Sequence, residues 1–373
     1  MCSHKSIFLK QTFSSVMMIL IFVTLNCDPL VERFEDVENA IWYAAKKQTT
    51  PPSNADTIMV MSWNIRFGIG RAPWFGDSCG DQVIYSEDEV LINLRGIADK
   101  INELQPDILL LQEVDVQSKK SGYVDELQWL LDHTYFNYGV YASYWQVQFV
   151  PSDGLGRINM GNAILSRWKI SEAVRIPLPL RGDQDALTKY FYLRHNILKT
   201  KIDLPGVDNF YAVNVHIEAF STDDTKKIQV DLFKDELDKL AGSGKAFVAG
   251  GDLNLLPPGS DSTDYCDEDK CPGESFHGPN DHPQHKEGSN YTPEMTWLQG
   301  LYDSYQCSVP LAEYLKDQRR YFTHTTNPNS FWDRKLDYLF TNYKWVPGSE
   351  VTHQDILDLS DHAPVSARWE VPK

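Results

Sequence analysis

The stretch Thr57-Ile58-Met59-Val60-Met61-Ser62-Trp63-Asn64, at residues 57–64, is an apolar run that ends in an amide side chain. A second run, at residues 107–112, has an apolar centre and is followed by Glu113. Continuous apolar runs of this length are typical of strands buried on both faces. Between them, Ser86 and Glu89 form a capping-box pattern, and a helical face follows at Val90, Leu94, Ile97, Ile101 and Leu104. The sequence therefore predicts a strand–helix–strand unit with polar residues at both strand ends.

The rest of the chain contains more strand patterns than helix patterns. A second helix is predicted at 222–241, where apolar residues recur at helical spacing before Gly242. Many strands and few helices in mixed order favour an α/β fold with two packed sheets over a single doubly wound sheet. Further strands are predicted at 138–150, 160–166, 191–202, 209–216, 245–251, 335–341 and 363–370.

The remaining segments suggest how the chain is divided. Residues 28–55 are predicted to form an N-terminal helix, over about 30–46, and a linker. The main domain is expected over 56–373, with a polar insertion at about 257–296 that is rich in Pro, Gly, Ser, Asp and His. The N-terminal helix is predicted from the helical spacing of Leu30, Phe34, Val37, Ile41 and Ala44.

Composition excludes some classes of protein. The 373 residues carry 52 acidic and 35 basic side chains, for a net charge of -17, and 42% of them are hydrophobic. This is the composition of a globular chain, not of a disordered one. Because no run of Lys or Arg exceeds two residues, a protein that coats nucleic acid along its surface is disfavoured. An enzyme with a metal-lined cleft for phosphates remains compatible with this charge.

The first 27 residues have the features of an export signal. Lys5 and Lys10 precede an apolar run at 16–25, which is too short to span a bilayer comfortably. Cys27 follows that run as in a loose bacterial lipoprotein signal, although Asn26 departs from the small residue usual there. We expect an exported protein, secreted, periplasmic or held at a membrane through lipidated Cys27. Plain secretion with an incidental Cys27 is the alternative.

Four further cysteines are relevant to whether the chain is exported. An even number of cysteines in an exported chain suggests disulfides, here among Cys79, Cys266, Cys271 and Cys307. Cys266 and Cys271 are close enough in sequence for a local bridge. A zinc site with these cysteines is the competing interpretation, but the spacing fits no standard zinc pattern. Its other ligands would come from His277, His282 and His285.

Short polar motifs stand at the ends of the predicted strands. They are Met61–Arg66, Leu111–Val114, Gly161–Arg167, Asn214–His216, Gly250–Asn254, Leu336–Tyr338 and Ser360–Val365. Together and in this order they resemble the endonuclease/exonuclease/phosphatase superfamily, the DNase I-like phosphoesterases. The resemblance implies a four-layer α/β sandwich of two packed mixed β-sheets flanked by helices. It also implies hydrolysis of a phosphate ester with a divalent metal, usually Mg²⁺, with Mn²⁺ or Ca²⁺ as alternatives.

The residue types in these motifs suit that chemistry. A phosphate ester is anionic, so its hydrolysis needs a cation on the phosphoryl oxygens and a positioned water. A hard cation prefers oxygen ligands. We expect Glu113 as the first metal ligand, Asn64 as a support through its amide oxygen, and Asp361 to complete the site. The absence of cysteine from these motifs also favours a hard cation over zinc.

Three residues are candidates for handling the water and the leaving group. Asp252 is expected to activate or orient the attacking water. Asn254, two residues later, is expected on the same side of an extended segment, where its amide would hold that water or a phosphoryl oxygen. His216 is expected to stabilise the developing charge or protonate the leaving oxygen.

His362 and Asp337 form the other predicted catalytic pair. His362 would donate to a phosphoryl oxygen or act as acid or base, and Asp337 would fix its tautomer. Asn162 is a candidate substrate contact. Arg194 could bind phosphate or form a salt bridge within a strand.

These residues are compatible with three functions. The first is an exported, monomeric phosphodiesterase or phosphatase acting on a small or lipid-borne phosphate ester. Gly161–Arg167 favours it, because this motif resembles members related to lipid and inositol phosphates. The second is a secreted nuclease, in which exposed aromatic residues would stack on bases. The third is an inactive binding module, which is disfavoured because all the acidic and histidine motifs are present. The aromatic candidates for stacking are Trp74, Phe75, Tyr144 and Trp145.

Overall fold

The computed structural model describes residues 30–54, 56–76, 79–150, 156–265, 268–269 and 291–372. The predicted export signal, with Cys27, lies outside these residues, as do Cys266, Cys271 and the three histidines of the zinc alternative. Within the described residues, no helix combines the length and the apolar character needed to cross a bilayer.

Fourteen strands run through the described part of the chain. They are β1 (Glu38–Asn39), β2 (Ile41–Ala44), β3 (Thr57–Asn64), β4 (Ile108–Asp115), β5 (Tyr138–Val147), β6 (Ile158–Ser166), β7 (Ile170–Pro177), β8 (Asn196–Ile202), β9 (Phe210–His216), β10 (Ala246–Asp252), β11 (Gln306–Cys307), β12 (Asp337–Thr341), β13 (Val351–Thr352) and β14 (Val365–Glu370). The first sheet has the order β1-β7-β8-β9-β10-β12-β11 and the second β13-β14-β3-β4-β6-β5-β2. Both sheets are mixed, since β9 and β10 are parallel, as are β3 and β4, among antiparallel neighbours.

Six α-helices accompany the sheets in the described residues. They are α1 (Glu87–Leu104), α2 (Glu126–His133), α3 (Ala186–Phe191), α4 (Thr225–Gly242), α5 (Gln299–Ser304) and α6 (Leu311–Tyr314). The predicted capping box begins α1, where Ser86 Oγ accepts from the Glu89 N–H and Glu89 Oε2 accepts from the Ser86 N–H. Strand β7 and the short helix α3 were not predicted, and α3 together with an irregular turn replaces the beginning of the strand expected at 191–202.

Three apolar clusters arrange these elements in layers. Side chains from the facing sides of both sheets form the central cluster, which includes Val60, Leu110, Leu198, Ala212 and Val248. A second cluster joins α1 and α2 to the outer side of the second sheet. A third joins α4 to the outer side of the first sheet. This helix–sheet–sheet–helix arrangement confirms the predicted four-layer α/β sandwich.

The N-terminal segment, residues 30–45, is not the predicted helix. Phe34 has a left-handed backbone with φ of 49°, and the residues that follow form β1 and β2. Strand β1 pairs with β7 of the first sheet, and β2 pairs with β5 of the second. Ile41 and Trp42 are about half exposed, at 50% and 49%. The open edges of two sheets offer this segment backbone hydrogen bonds, and that gain outweighs the helical spacing of its apolar residues.

Arg334 fastens the described ends of the polar insertion. Its guanidinium donates to both carboxylate oxygens of Asp269 at 2.6 Å and lies 4.0 Å from the ring centroid of Tyr265. Tyr291, where the chain is described again, donates its N–H to the carbonyl of Thr263. The two ends of the insertion therefore meet at one buried arginine beside the start of β12.

The described cysteines differ from each other. Cys79 is disulfide-bonded, as the even number of cysteines suggested. Cys307 is a buried free thiol in β11, so the suggestion that all four cysteines form disulfides is wrong for this one.

Candidate active site

The polar strand ends meet at one edge of the sandwich. Strand β10 aligns Asp252 with His216 of parallel β9 on one side and with Asp337 of antiparallel β12 on the other. In the second sheet, β3 and β4 bring Asn64 and Glu113 to the corresponding edge. The sheets pack face to face, so residues that are far apart in sequence converge across the gap between them.

Asp252 lies at the centre of this cluster. Its Oδ2 accepts a hydrogen bond from Asn64 Nδ2 at 3.1 Å, and the Nε2 atoms of His216 and His362 lie 3.4 and 3.5 Å from it. Burial raises the pKa of Asp252 to about 7, with the charge of Asp337 acting in the same direction and that of His362 opposing both. A carboxylate with this pKa can take up or release a proton near neutral pH.

Asp337 and His362 form a buried pair beside Asp252. His362 Nδ1 donates to Asp337 Oδ2 at 2.8 Å. Asp337 is fully buried, so it is not an exposed strand residue. Burial alone would lower the pKa of His362, but the negative charges of Asp337 and Asp252 outweigh burial and raise it to about 10. The structure therefore favours a cationic imidazole whose Nε2 faces the centre of the site.

His216 has the opposite electrostatic environment. Burial, His195 and His362 together hold the pKa of His216 well below its usual range. Its Nε2 lies 3.2 Å from Asn254 Nδ2 and its Nδ1 lies 3.3 Å from the hydroxyl of Tyr144. The site thus holds one neutral and one charged imidazole on either side of the same carboxylate.

Asn254 reaches the site by a different route from the one predicted. Its backbone is left-handed, with φ of 48°, so it does not continue an extended segment. A tight turn forms instead, in which Asp252 Oδ1 accepts from the Asn254 N–H at 3.0 Å. Asn254 Nδ2 then donates to the carbonyl of Ile217 at 2.9 Å. The turn, and not strand alternation, brings the amide beside His216.

Glu113 lies at an irregularity in β4. The pairing of β4 with β6 shifts register between Leu111 and Val114, and Glu113 has a left-handed backbone with φ of 56°. This bulge turns the carboxylate towards the site edge. Burial raises the pKa of Glu113, and the neighbouring negative charge of Asp361 raises it further. Two carboxylates that repel each other in this way suit a divalent cation, which would relieve the repulsion.

Asn64 makes contacts other than the predicted one. Its Oδ1 accepts from the backbone N–H of Arg66 at 3.0 Å, so its Nδ2 faces the carboxylates and donates to Glu113 Oε1 at 2.9 Å. A backbone N–H can only donate, and this fixes the orientation of the amide. Asn64 therefore positions Glu113 and Asp252, and its amide oxygen is not presented to a metal.

Asp361 lies next to Glu113 and is held by an arginine. Arg66 Nε donates to Asp361 Oδ2 at 3.1 Å, and Arg66 Nη1 donates to the carbonyls of Gly70 and Ala72. The Asp361 side chain is 20% exposed and is the more open member of this ion pair. A carboxylate held in this way can still offer an oxygen to a cation.

Asn162 is not at the site. Its side chain is fully buried in the middle of β6, and Nδ2 donates to the backbone carbonyl of Asn196 at 3.2 Å. The predicted substrate contact is therefore wrong, because a β-strand residue that faces the opposite sheet cannot reach solvent. Arg194 is also buried and donates to the carbonyls of Tyr190 and Tyr192.

The structure adds site residues that the sequence did not indicate. His195 packs edge-on against His216 with ring centroids 5.3 Å apart, and its Nε2 lies 3.4 Å from Glu218 Oε2. Arg66 belongs to a quoted motif and could have been found there. His324, whose ring lies beside His362, follows no apolar strand and carries no sequence signal.

The comparisons with known proteins agree with this geometry. A sequence model described as the Endonuclease/Exonuclease/phosphatase family matches residues 61–362. The chain belongs to this family. Its members are divalent-metal-dependent phosphoric ester hydrolases, and this chain is therefore an enzyme of that class. The match runs from the Met61–Arg66 motif to His362, within the Ser360–Val365 motif.

Solved structures show the same fold at low sequence identity. An endonuclease/exonuclease/phosphatase from Beutenbergia cavernae DSM 12333 is 19% identical, with a TM-score of 0.58, over 85% of this chain and 72% of that one. A functionally unknown conserved protein from Enterococcus faecalis V583 is 16% identical, with a TM-score of 0.50, over 84% of this chain and 100% of that one. A family protein from Leptotrichia buccalis C-1013-b is 14% identical, with a TM-score of 0.50, over 83% of this chain and 98% of that one. None of the curated proteins matches the chain.

Proposed function

We propose that the protein is an exported, Mg²⁺-dependent phosphodiesterase or phosphatase that acts on small or lipid-borne phosphate esters. The observation that carries the catalytic part is the convergence of the His216 and His362 Nε2 atoms on one oxygen of Asp252. Export is proposed from the signal-like residues 1–27 alone, with Cys27 as the candidate for membrane attachment.

The proposed metal site consists of Glu113 and Asp361. Both offer carboxylate oxygens, which Mg²⁺ prefers, and their mutual repulsion supports a cation between them. When bound, the ion would neutralise charge on the phosphoryl oxygens. Asn64 would hold Glu113 in place through its hydrogen bond to Oε1.

The remaining groups would act directly on the substrate. Asp252 would orient the attacking water and accept its proton, because its pKa of about 7 suits a base at neutral pH. His362, kept cationic by Asp337, would donate from Nε2 to a phosphoryl oxygen. Neutral His216, in the tautomer that carries its proton on Nε2, would donate a hydrogen bond to the leaving oxygen as negative charge develops there.

Burial removes two of the four aromatic candidates for base stacking, whereas Trp74 and Phe75 are partly exposed. Tyr144 is fully buried beneath His216 and Trp145 is only 8% exposed, so neither offers a ring face on which a base could stack. Leu187 and Phe220 are exposed apolar side chains, at 67% and 63%, on two surface segments that contact each other. These segments are joined by Asp183, whose Oδ2 accepts from the Thr222 N–H. Exposed apolar side chains and a net charge of -17 suit a substrate with an acyl chain better than a polyanion.

A substrate panel tests this proposal. The purified chain with Mg²⁺ is given sphingomyelin, phosphatidylinositol phosphates, an aryl phosphodiester, duplex DNA and single-stranded RNA. We expect hydrolysis of a lipid or aryl ester and loss of that activity in Asp252→Asn, which removes the charge and keeps the shape. Preferential cleavage of DNA or RNA would instead establish the nuclease alternative, and no hydrolysis of any substrate would contradict both.

Export and lipidation need a separate experiment. The full chain is expressed in a bacterium with a labelled fatty acid, and the labelled protein is located by fractionation. We expect export of the wild type and label that is lost in Cys27→Ala. Unlabelled protein outside the cytoplasm would support plain secretion, whereas retention in the cytoplasm would contradict export.

A further inference from the structure

A histidine that the proposed reaction does not use lies beside the catalytic pair. His324 is half-buried, and its ring centroid is 4.4 Å from that of His362. The two main chains pair here, since the Ala363 N–H donates to the Thr323 carbonyl at 2.6 Å and an antiparallel bridge sets His324 opposite His362. Side chains that are directly opposite on paired segments are held close together. The pairing of the two backbones therefore places the imidazoles of His324 and His362 side by side.

Asp361 completes a group of three possible ligands. One atom from each of His324, Asp361 and His362 lies within 4.8 Å of the other two. Both His324 and the Asp361 side chain are partly open to solvent. An ion could therefore enter from the cleft without unfolding the segment.

The hydrogen bonds around this group are compatible with a metal site. His362 Nδ1 donates to Asp337 Oδ2 at 2.8 Å, and His324 Nδ1 lies 3.1 Å from the carbonyl of Asp361. Metal-binding histidines usually donate their second nitrogen to a carboxylate or a carbonyl in this way. Both contacts use Nδ1, so each Nε2 can bind a cation, and zinc binding at His362 would release the proton from its Nε2. Arg66 holds Asp361 Oδ2 and so orients the third ligand.

We propose that His324, Asp361 and His362 bind Zn²⁺, and that this zinc inhibits hydrolysis by occupying the Nε2 atom of His362. Two imidazoles and one carboxylate, with the fourth position left to water, form a donor set that suits zinc. Mg²⁺ prefers oxygen ligands and would keep Glu113, whereas the Asp361 carboxylate belongs to both proposed sites, so the two ions would compete for it. This site is distinct from the zinc alternative considered for Cys266 and Cys271. The inhibitory part rests on the proposed function, whereas the binding part does not.

Zinc binding is tested without any substrate. The full chain is stripped with a chelator and dialysed to equilibrium against ZnCl₂, with wild type, His324→Asn and His133→Asn compared. His133 is exposed at the end of α2 and serves as a matched histidine control. We expect wild type and His133→Asn to share one site that binds zinc at least about 10-fold more tightly than His324→Asn does. Equal zinc affinity in wild type and His324→Asn would overturn the proposal.

Two further measurements identify the ligands and the inhibition. With Co²⁺ in place of Zn²⁺, the visible absorption of a tetrahedral site should appear in wild type and be absent from His324→Asn. In Mg²⁺-supported hydrolysis, the zinc concentration for half-inhibition should rise at least about 10-fold in His324→Asn, each variant being compared with its own uninhibited rate. If the zinc concentration for half-inhibition were the same in wild type and His324→Asn, the proposal that this zinc inhibits hydrolysis would be overturned. If the panel yields no substrate, the proposed function fails and dialysis alone decides the zinc site.

Discussion

At the scale of single residues, Glu113 should govern the metal requirement. Glu113→Gln keeps the acceptor for Asn64 but removes the charge beside Asp361. We expect the Mg²⁺ concentration for half-maximal rate to rise at least about 10-fold and turnover to fall. Rates measured across a Mg²⁺ series check this. Glu87→Gln, at the exposed start of α1, is the control, and an unchanged Mg²⁺ requirement in Glu113→Gln would remove this residue from the metal site.

Asp337 should act through His362 and not on the substrate. Asp337→Asn removes the charge that, with Asp252, raises the pKa of His362 to about 10. With that pKa lowered, His362 loses its proton at a lower pH, so the alkaline limb of the kcat profile should shift to lower pH. The rate at neutral pH should fall by about 10²-fold. A profile that falls uniformly without this shift would indicate a purely structural role.

His353 should make the fold sensitive to acid. Its backbone N–H donates to the carbonyl of Pro364 at 2.9 Å, and its Nε2 lies 2.8 Å from Ser366 Oγ. Burial, with the charge of Lys100, lowers the pKa of His353 from 6.5 to about 4. The unfolded chain therefore takes up the proton first, and stability present above pH 6.5 is lost as the pH falls towards 4.

Replacing this histidine should remove that sensitivity. Between about pH 7 and pH 5, we expect His353→Gln to lose roughly 2 kcal/mol less unfolding free energy than wild type. Urea unfolding followed by tryptophan fluorescence at both values checks this, with His133→Gln as the exposed control. If wild type and His353→Gln lose the same free energy, His353 does not contribute to the acid sensitivity.

At the scale of elements, the C-terminal end of strand β10 requires a glycine. Gly251 has φ of +140°, and a Cβ atom there would lie 1.8 Å from the carbonyl oxygen of Val215 in β9. Gly251→Ala should force apart the two strands that carry His216 and Asp252. We expect a loss of at least about 1 kcal/mol of unfolding free energy together with reduced turnover.

A second glycine provides the matched control for this element. Gly242 ends α4, and a Cβ atom there would meet no atom within 4 Å. Gly242→Ala should leave both the thermal midpoint and the hydrolysis rate close to wild type. Wild-type stability in Gly251→Ala would contradict the strand contact.

The sequence predicted the elements whose signals are local. Apolar runs and a capping box identified β3, α1 and β4, and the order of the polar strand ends predicted the family, because the ends of paired strands meet at one edge. Some contacts between residues that are distant in sequence, and local backbone irregularities, were not predicted. The orientation of the Asn64 amide depends on the backbone N–H of Arg66. The turn at Asn254 depends on a left-handed backbone, and the burial of Asn162 depends on the facing sheet. None of these features has a periodicity that a sequence can show.

At the scale of the whole molecule, the domain should begin earlier than the predicted residue 56. Removing residues 1–55 deletes β1 and β2 and leaves β7 and β5 as open edges. We expect this truncated protein to have a lower thermal midpoint than a chain that begins at residue 28, and to aggregate at a lower concentration. Calorimetry and light scattering on both chains check this. Equal midpoints would show that the N-terminal segment adds no stability.

The N-terminal segment has one more consequence. Strands β1 and β2 are separated by Ala40 alone and belong to different sheets. If one sheet slid past the other, the backbone hydrogen bonds of β1 or of β2 would have to break. The cleft draws Glu113 from one sheet and Asp252 from the other, and its width therefore follows the spacing between the sheets. A single proteolytic cut between β1 and β2 would remove this constraint on the spacing of the sheets. The catalytic groups would then be held less firmly relative to each other, although each of them remained intact.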